Sequence, residues 1–194
     1  MDVAKSFSGV RKGDYGYLDF RRRSSLIKCL VFLLATLLLV LCARVFFPSI
    51  GRIFLILAIL SALPAAVSAV SLVMSMRFKS GRREVYEAVE AVRNGAPVFY
   101  DAVLTTREES YGVNCLIFLN KNIMAYTEYP DSNAASIRSH LTEMARKGGF
   151  KDWTIKVYTE LPEFIERLSF LKDKDVRVLE KDGEMRDLIG QIAL

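Results

Sequence analysis

The sequence predicts a transmembrane α-helical hairpin followed by a small α/β domain with a mixed sheet. Residues 24–76 carry only three charged side chains, although 25% of the whole chain is charged. Two long apolar runs fill that stretch, and helical and strand-like patterns alternate after residue 82. We therefore divide the chain into a basic N-terminal segment 1–24, a two-helix hairpin 25–78 and a domain 82–194.

The hairpin is predicted from the length of its two apolar runs, about 26–47 and 53–76. Roughly 20 apolar residues cross a hydrocarbon core about 30 Å thick, so each run is long enough to span a membrane. The five residues 48–52 include a proline and a glycine, which predicts a tight turn. The sequence thus indicates an integral membrane protein with two transmembrane helices.

Basic residues flank the hairpin on its outer sides. Lys and Arg concentrate on the cytoplasmic side of membrane proteins, so both termini are predicted to be cytoplasmic, and we expect a cell membrane of the bacterial inner-membrane type. The side chains predicted to contact lipid headgroups are Arg21, Arg22, Arg23, Arg77, Lys79, Arg82 and Arg83. Residues 5–23 also contain aromatic side chains, which fits either a segment lying on anionic lipid or a disordered tail.

Small residues recur four apart on the second helix, at Ser61, Ala65 and Ala69. Such a stripe lets another helix approach closely. It could join copies of the chain or a partner protein, or it could pack the hairpin on itself, which we favour. A protein partner or a homo-oligomer is expected in addition to membrane lipids.

The domain is predicted to contain helices and strands in the order helix, three strands, helix, strand, helix, strand, helix. A three-residue hairpin signal, 120–122, separates the second strand from the third. The predicted helices are 82–94, one beginning near residue 134, one beginning near 162 and one over 185–192; the predicted strands are 98–106, 113–119, 123–129, 153–158 and 176–179.

This order of elements resembles the core of restriction-endonuclease-like nucleases. In that family an acidic residue on one strand and an acid-x-Lys motif on the next bind the metal. Asp101 matches the first position, but residues 113–119 contain no acid, and Glu128 is followed by Tyr129 and Pro130 instead of x-Lys. The resemblance therefore implies, as an alternative function, a degenerate or unrecognised hydrolase with Asp101 and Glu128 as its acidic pair.

Other chemistry has little support in the sequence. His140 is the only histidine, the cysteines Cys29, Cys42 and Cys115 form no CxxC motif, and no phosphate-binding glycine loop occurs. Residues 84–194 hold 14 basic and 19 acidic residues, a net charge of −5, which argues against nucleic-acid binding. We expect no cofactor and no metal. The sequence favours a membrane-anchored, non-enzymatic interaction or regulatory module that presents its domain at the cytoplasmic face.

Overall fold

The computed structural model describes residues 10–45, 48–106, 109–130, 133–173 and 178–193. The chain forms two compact units. One unit is Leu18–Lys79, and the other holds the described residues of Met1–Tyr17 and Ser80–Leu194.

The first unit consists of two long helices, α1 (Tyr17–Val45) and α2 (Pro48–Met76). Both are long and apolar enough to span a membrane, so the prediction of two long apolar helices is confirmed. Each begins earlier than predicted. Residues 21–23 lie inside α1, and residues 48–52 form the first turns of α2 rather than a turn between helices. Pro48 can begin the helix although it lacks a backbone N–H group, because the N–H of the first helical residue has no hydrogen-bond partner within the helix.

The two helices contact each other along a narrow seam. The Ser61 and Thr36 hydroxyls hydrogen-bond across it at 2.9 Å. Ala65 is also partly buried, whereas Ala69 is exposed. Six buried or partly buried positions of α2 alternate at spacings of four and three, as in packed helix pairs: Phe54, Ala58, Ser61, Ala65, Ser68 and Leu72. Gly51 is also buried and Pro64 is partly buried.

The second unit contains a four-stranded mixed sheet between helices. Its elements are α3 (Arg83–Val92), β1 (Val98–Thr105), β2 (Ser110–Leu119), β3 (Asn122–Tyr126), α4 (Ala134–Lys147), β4 (Thr154–Tyr158), α5 (Leu161–Asp173) and α6 (Glu180–Ile192). The strand order is β1–β2–β3–β4, with the first three antiparallel and β4 parallel to β3. The mixed sheet is therefore confirmed. The predicted strand 176–179 is wrong where it can be checked: residues 176–177 lie outside the described residues, and 178–179 lead into α6 without a strand.

Each face of the sheet is covered by two helices. On one face, Leu116 and Phe118 of β2 pack with Ile137 and Leu141 of α4 and with Met185 of α6. The other face packs against α3 and α5, through Val85, Val89, Ile117, Tyr126, Phe164 and Leu168. Burial of these apolar side chains provides the main stabilisation of the domain.

The alternation of side chains reverses in the middle of β1 and β2. Tyr100 lies in the α3/α5 core, but Ala102, two residues further on, lies in the α4/α6 core with Phe99. The strand pairing passes from Tyr100–Cys115 to Ala102–Val113. Between them stands Asp101, which has a left-handed φ of 53°. Asp tolerates this conformation better than most residues, so it can sit where the strand changes face.

A second buried carboxylate fixes the tight turn between β2 and β3. Asn120 and Lys121 have positive φ angles of 47° and 59°, as a two-residue hairpin of the primed type requires. Their backbone N–H groups donate to Asp182 at 2.9 and 3.2 Å, and Leu179 donates to the same carboxylate at 2.8 Å. Asp182 is fully buried and joins the start of α6 to the turn between β2 and β3.

Candidate functional site

Asp101 accepts hydrogen bonds from the backbone just before α1 and just after α2. Its side chain is buried, with 2% of the residue exposed. One carboxylate oxygen accepts a hydrogen bond from Gly16 N at 2.9 Å, and the other accepts from Gly81 N at 3.0 Å. Gly16 directly precedes α1, and Gly81 follows α2 by five residues. We call Asp101 and these two glycines the clasp.

Both glycines of the clasp have a local reason to be glycine. Gly16 has a φ of +87°, a conformation that side chains with a Cβ rarely adopt. A Cβ on Gly81 would lie 3.0 Å from Nδ2 of Asn114, the residue of β2 that stands across from Asp101. Glycine at these two positions therefore lets the backbone approach the buried carboxylate.

The residues just before α1 are bound to the edge of the sheet. We call residues 10–16 the strap. Tyr100 N donates to Gly13 O at 2.8 Å, and a Cβ on Gly13 would lie 2.7 Å from the Phe99 ring. Arg11 N donates to the Asp14 carboxylate, which closes a turn within the strap. The sequence predicted either a lipid-lying segment or a disordered tail here, whereas the structure places residues 10–16 in the domain.

The two acids of the predicted pair, Asp101 and Glu128, accept hydrogen bonds from two adjacent residues, Gly81 and Arg82. Asp101 accepts from Gly81, and Glu128 accepts from the adjacent Arg82 guanidinium, whose Nε lies 2.8 Å from Oε1. The Tyr126 hydroxyl also donates to Glu128, at 3.1 Å. Burial, followed by the nearby Glu128 charge, raises the pKa of Tyr126 to about 12. Both predicted acids therefore hold the chain's own segment 81–82, and the described residues contain no group of three or more His, Cys, Asp or Glu that could hold a metal.

Two of the residues predicted to contact lipid are engaged in ion pairs. Arg82 pairs with Glu128, and Arg83 pairs with Glu87 at 2.7 Å one helical turn away. These hydrogen bonds raise the pKa of both arginines. Their side chains remain 62% and 82% exposed, so they are still accessible from outside the domain. The Arg77 guanidinium lies over the Phe78 ring at 5.6 Å.

A groove with an aromatic wall lies between the strap, α3 and α6. The Tyr15 and Tyr86 rings stack at a centroid distance of 4.6 Å, and Tyr100 contacts Tyr86 edge-on at 5.3 Å. The Tyr100 hydroxyl donates to Glu90 at 2.9 Å, and Glu90 pairs with Arg93, also at 2.9 Å. Burial raises the pKa of Tyr100 well above its usual range. This tyrosine groove has a volume of about 1300 Å³ and is lined by Tyr15, Tyr86, Tyr100, Glu90, Arg93 and Arg186, among others.

His140 and Cys115 are partly or fully buried in the domain. His140 lies on α4, and its buried Nε2 has no hydrogen-bond partner among the residues that the structure describes. Burial lowers the pKa of His140, so its neutral form is favoured. Cys115 is fully buried in β2, and burial raises the pKa of its thiol, which makes it a weak nucleophile.

Sequence reasoning missed three features: the strap, the tyrosine groove and Asp182. Gly13 and Gly16, two glycines in a segment otherwise rich in basic and aromatic residues, were the available signal for the strap. Tyr15 and Tyr100 are 85 residues apart, so no local pattern could place them in one groove.

Comparison of the chain with protein-family models, with curated proteins and with solved structures finds no match. Function is therefore inferred from the contacts within this chain.

Proposed function

We propose that this chain is a membrane-anchored, non-enzymatic interaction module. Its two long helices cross the membrane, and its α/β domain is presented at the cytoplasmic face, where it binds or regulates a protein partner. The observation that carries the proposal is the clasp. A single buried carboxylate, Asp101, holds the chain both where it leaves the domain for the helices and where it returns.

Membrane insertion is supported by the outer surface of the two helices. Large apolar side chains that do not face the seam are highly exposed, for example Leu34 at 63%, Leu63 at 67% and Val67 at 67%. Soluble proteins rarely expose contiguous apolar patches above a few hundred Å². Lipid tails would cover this surface without any change in the helices, because the backbone groups in the middle of a helix are hydrogen-bonded within it.

Cytoplasmic placement of the domain is supported by the position of the basic residues. Arg21, Arg22 and Arg23 lie near the start of α1, and Arg77 and Lys79 follow the end of α2. Only Arg44 and Arg52 lie close to the connection between the helices. The larger number of positive charges on the side of the termini favours a cytoplasmic location for that side.

A non-enzymatic role is supported by the hydrogen bonds of Asp101 and Glu128, the two candidate catalytic acids. Both Asp101 oxygens accept backbone hydrogen bonds, and Glu128 is bound by Arg82 and Tyr126. These contacts hold residues 80–82 and the strap on the domain rather than leaving them as loose linkers. Both candidate catalytic acids are therefore occupied in contacts within the domain, which suits a binding module better than an enzyme.

Orientation can be tested by cysteine labelling in intact cells. In a background with the three native cysteines replaced by alanine, we expect Ser49→Cys to react with a membrane-impermeant maleimide. Asp152→Cys, an exposed position before β4, should react only after the membrane is permeabilised. The reverse pattern would overturn the cytoplasmic placement. Release of the protein by alkaline carbonate would overturn membrane insertion.

The interaction role can be tested by crosslinking and affinity purification of the tagged full-length protein from its native membranes. We expect one protein to be recovered in near-equal amount with the wild-type chain. Its recovery should fall when Asp101→Asn loosens the clasp and should be unchanged with Asp152→Asn, which alters an exposed turn. Recovery of the chain alone, at every crosslinker concentration, would contradict the interaction role.

A further inference from the structure

Two arginines are fixed at one rim of the tyrosine groove by main-chain carbonyls. Arg186 Nε donates to Val98 O at 2.8 Å, and Arg93 Nη1 donates to Ala96 O at 3.3 Å. Ala96 and Val98 are two residues apart, so at most about 7 Å of chain separates their positions. The two guanidinium groups are therefore bound to the same short segment of the chain. Both side chains are about one-third exposed, Arg93 at 31% and Arg186 at 35%.

Two of the three carboxylates that line the groove, Asp14 and Glu90, already accept hydrogen bonds from neighbouring groups of the chain. One Glu90 oxygen accepts from Tyr100 and the other from Arg93, while Asp14 accepts from the backbone of the strap. A guanidinium group has five N–H donors, and in the described part of the chain Arg93 and Arg186 each use two of them in hydrogen bonds. The ligand that complements this rim has several acceptor oxygens.

The charge of Arg186 is only weakly balanced from within the groove. Its neighbour Asp187 is 71% exposed, and the closest approach of the two charged groups is 3.4 Å. An exposed pair with this geometry contributes little stability and is readily replaced by a better acceptor. An anion that enters the groove would therefore displace Asp187 without breaking a strong contact.

We propose that the tyrosine groove binds a phosphate ester, with Arg93 and Arg186 donating to the phosphate oxygens. Arginine suits this role because its planar fork can donate two parallel hydrogen bonds to one phosphate. The wall formed by Tyr15, Tyr86 and Tyr100 contacts the organic part of the ligand. A lipid headgroup and a soluble phosphate ester share this chemistry. The groove volume of about 1300 Å³ accommodates either.

The proposal is tested by titrating the full-length protein, in dodecyl maltoside micelles, with glycerol 3-phosphate and with phosphatidic acid added to the micelles. Binding is followed by the phosphorus NMR signal of each probe. We expect saturable binding of at least one probe, weakened about tenfold or more by Arg186→Gln, since hydrogen bonds to charged groups contribute at this level. Arg146→Gln, an exposed change on α4, should leave binding unchanged.

The two probes separate the sources of the phosphate. Binding of glycerol 3-phosphate indicates a soluble ester, and binding of phosphatidic acid alone indicates a lipid headgroup. Absence of saturable binding with both probes overturns the proposal, as does equal binding by the wild type and Arg186→Gln. If Arg186→Gln does not fold by circular dichroism, Arg186→Lys replaces it. Lysine keeps the charge but loses the fork, so binding should still weaken, and unchanged affinity in a folded Arg186→Lys protein would overturn the proposal.

Discussion

Gly81 donates its backbone N–H to the Asp101 carboxylate at 3.0 Å, although Gly81 lies between α2 and α3, 20 positions before Asp101 of β1. The second oxygen of the same carboxylate accepts from Gly16, 85 residues earlier in the chain. Hydrogen bonds to a charged acceptor stabilise a fold more than neutral ones, and they matter most where water is excluded. This one side chain therefore joins three distant parts of the sequence.

Replacing Asp101 by asparagine should destabilise the domain by about 1–3 kcal/mol, because one of the two backbone N–H groups that donate to the buried carboxylate loses its acceptor and faces an amide N–H₂ instead. Asparagine tolerates the left-handed φ of this position as well as aspartate does, so the strand conformation is retained. Chemical denaturation of the full-length protein in micelles, followed by far-ultraviolet circular dichroism, measures the change.

Asp152→Asn provides the matched control for that experiment. Asp152 is exposed in the turn before β4, so its replacement should change stability by less than about 0.5 kcal/mol. Equal stabilities for Asp101→Asn and wild type would show that the clasp hydrogen bonds are unimportant to the fold.

Asp182→Ala should cost about 3 kcal/mol, because three partly buried backbone N–H groups lose the charged carboxylate that accepts their hydrogen bonds. The loss should be localised. Hydrogen exchange at Asn120 and Lys121 should accelerate more than exchange in the centre of β2. Glu184→Ala, on the exposed side of the same helix, should leave both stability and exchange close to wild type. A uniform acceleration across the domain would contradict the localised role.

Ser61→Leu should weaken the packing of α1 on α2, because Ser61 lies in the seam and bonds to Thr36. Added bulk in a packed interface costs about 1–3 kcal/mol. Ala69→Leu adds comparable bulk at an exposed position of α2 and should have little effect. Titration with sodium dodecyl sulfate in mixed micelles compares the two. A larger effect of Ala69→Leu, accompanied by a smaller complex size, would instead place the small-residue stripe in a contact with another chain.

The stability of the domain should fall as the pH drops from 7 to 5. Burial lowers the pKa of His140 below its usual 6.5, with nearby Lys147 acting in the same direction and Glu143 opposing it. The folded state therefore favours neutral His140. This contribution is fully present above pH 6.5 and is lost as the pH falls below that value. His140→Gln should remove this part of the pH dependence.

The pKa of His140 can be read directly, because the chain contains one histidine and gives one imidazole resonance. Proton NMR of the folded protein should show a midpoint below 6.5, and the urea-unfolded protein should titrate at the ordinary value. A folded-state midpoint at or above 6.5 would show that Glu143 outweighs burial.

Much of the fold follows from local sequence patterns. The two helices of the hairpin unit come from apolar run length, and the buried stripe of α4, including Ile137 and Leu141, comes from helical spacing. Boundaries were less accurate. α1 begins at Tyr17 rather than near residue 26, because helix propensity does not require apolar residues and the arginines before the apolar run continue the helix.

The clasp could not be predicted from the sequence. The sequence predicted a strand over 98–106 with no sign of an interruption. At the left-handed backbone of Asp101, however, the side chains of β1 change from one face of the sheet to the other. The partners of its carboxylate are backbone N–H groups, which leave no trace in residue type except that both belong to glycines. The sequence marked Asp101 only as a candidate catalytic acid, and its hydrogen bonds to Gly16 and Gly81 depend on the tertiary fold.

The long separation between Gly16 and Asp101 sets an order of events during synthesis. When the residues of the strap leave the ribosome, the acceptor to which they will bind does not yet exist. At about 5–20 residues per second, Asp101 follows Gly16 after roughly 4–17 s, and both long helices are made within that interval. The hydrogen bonds that join Gly13 and Gly16 to β1 therefore form only after both long helices have been synthesised. Synthesis of the apolar helices thus precedes folding of the domain that includes the strap.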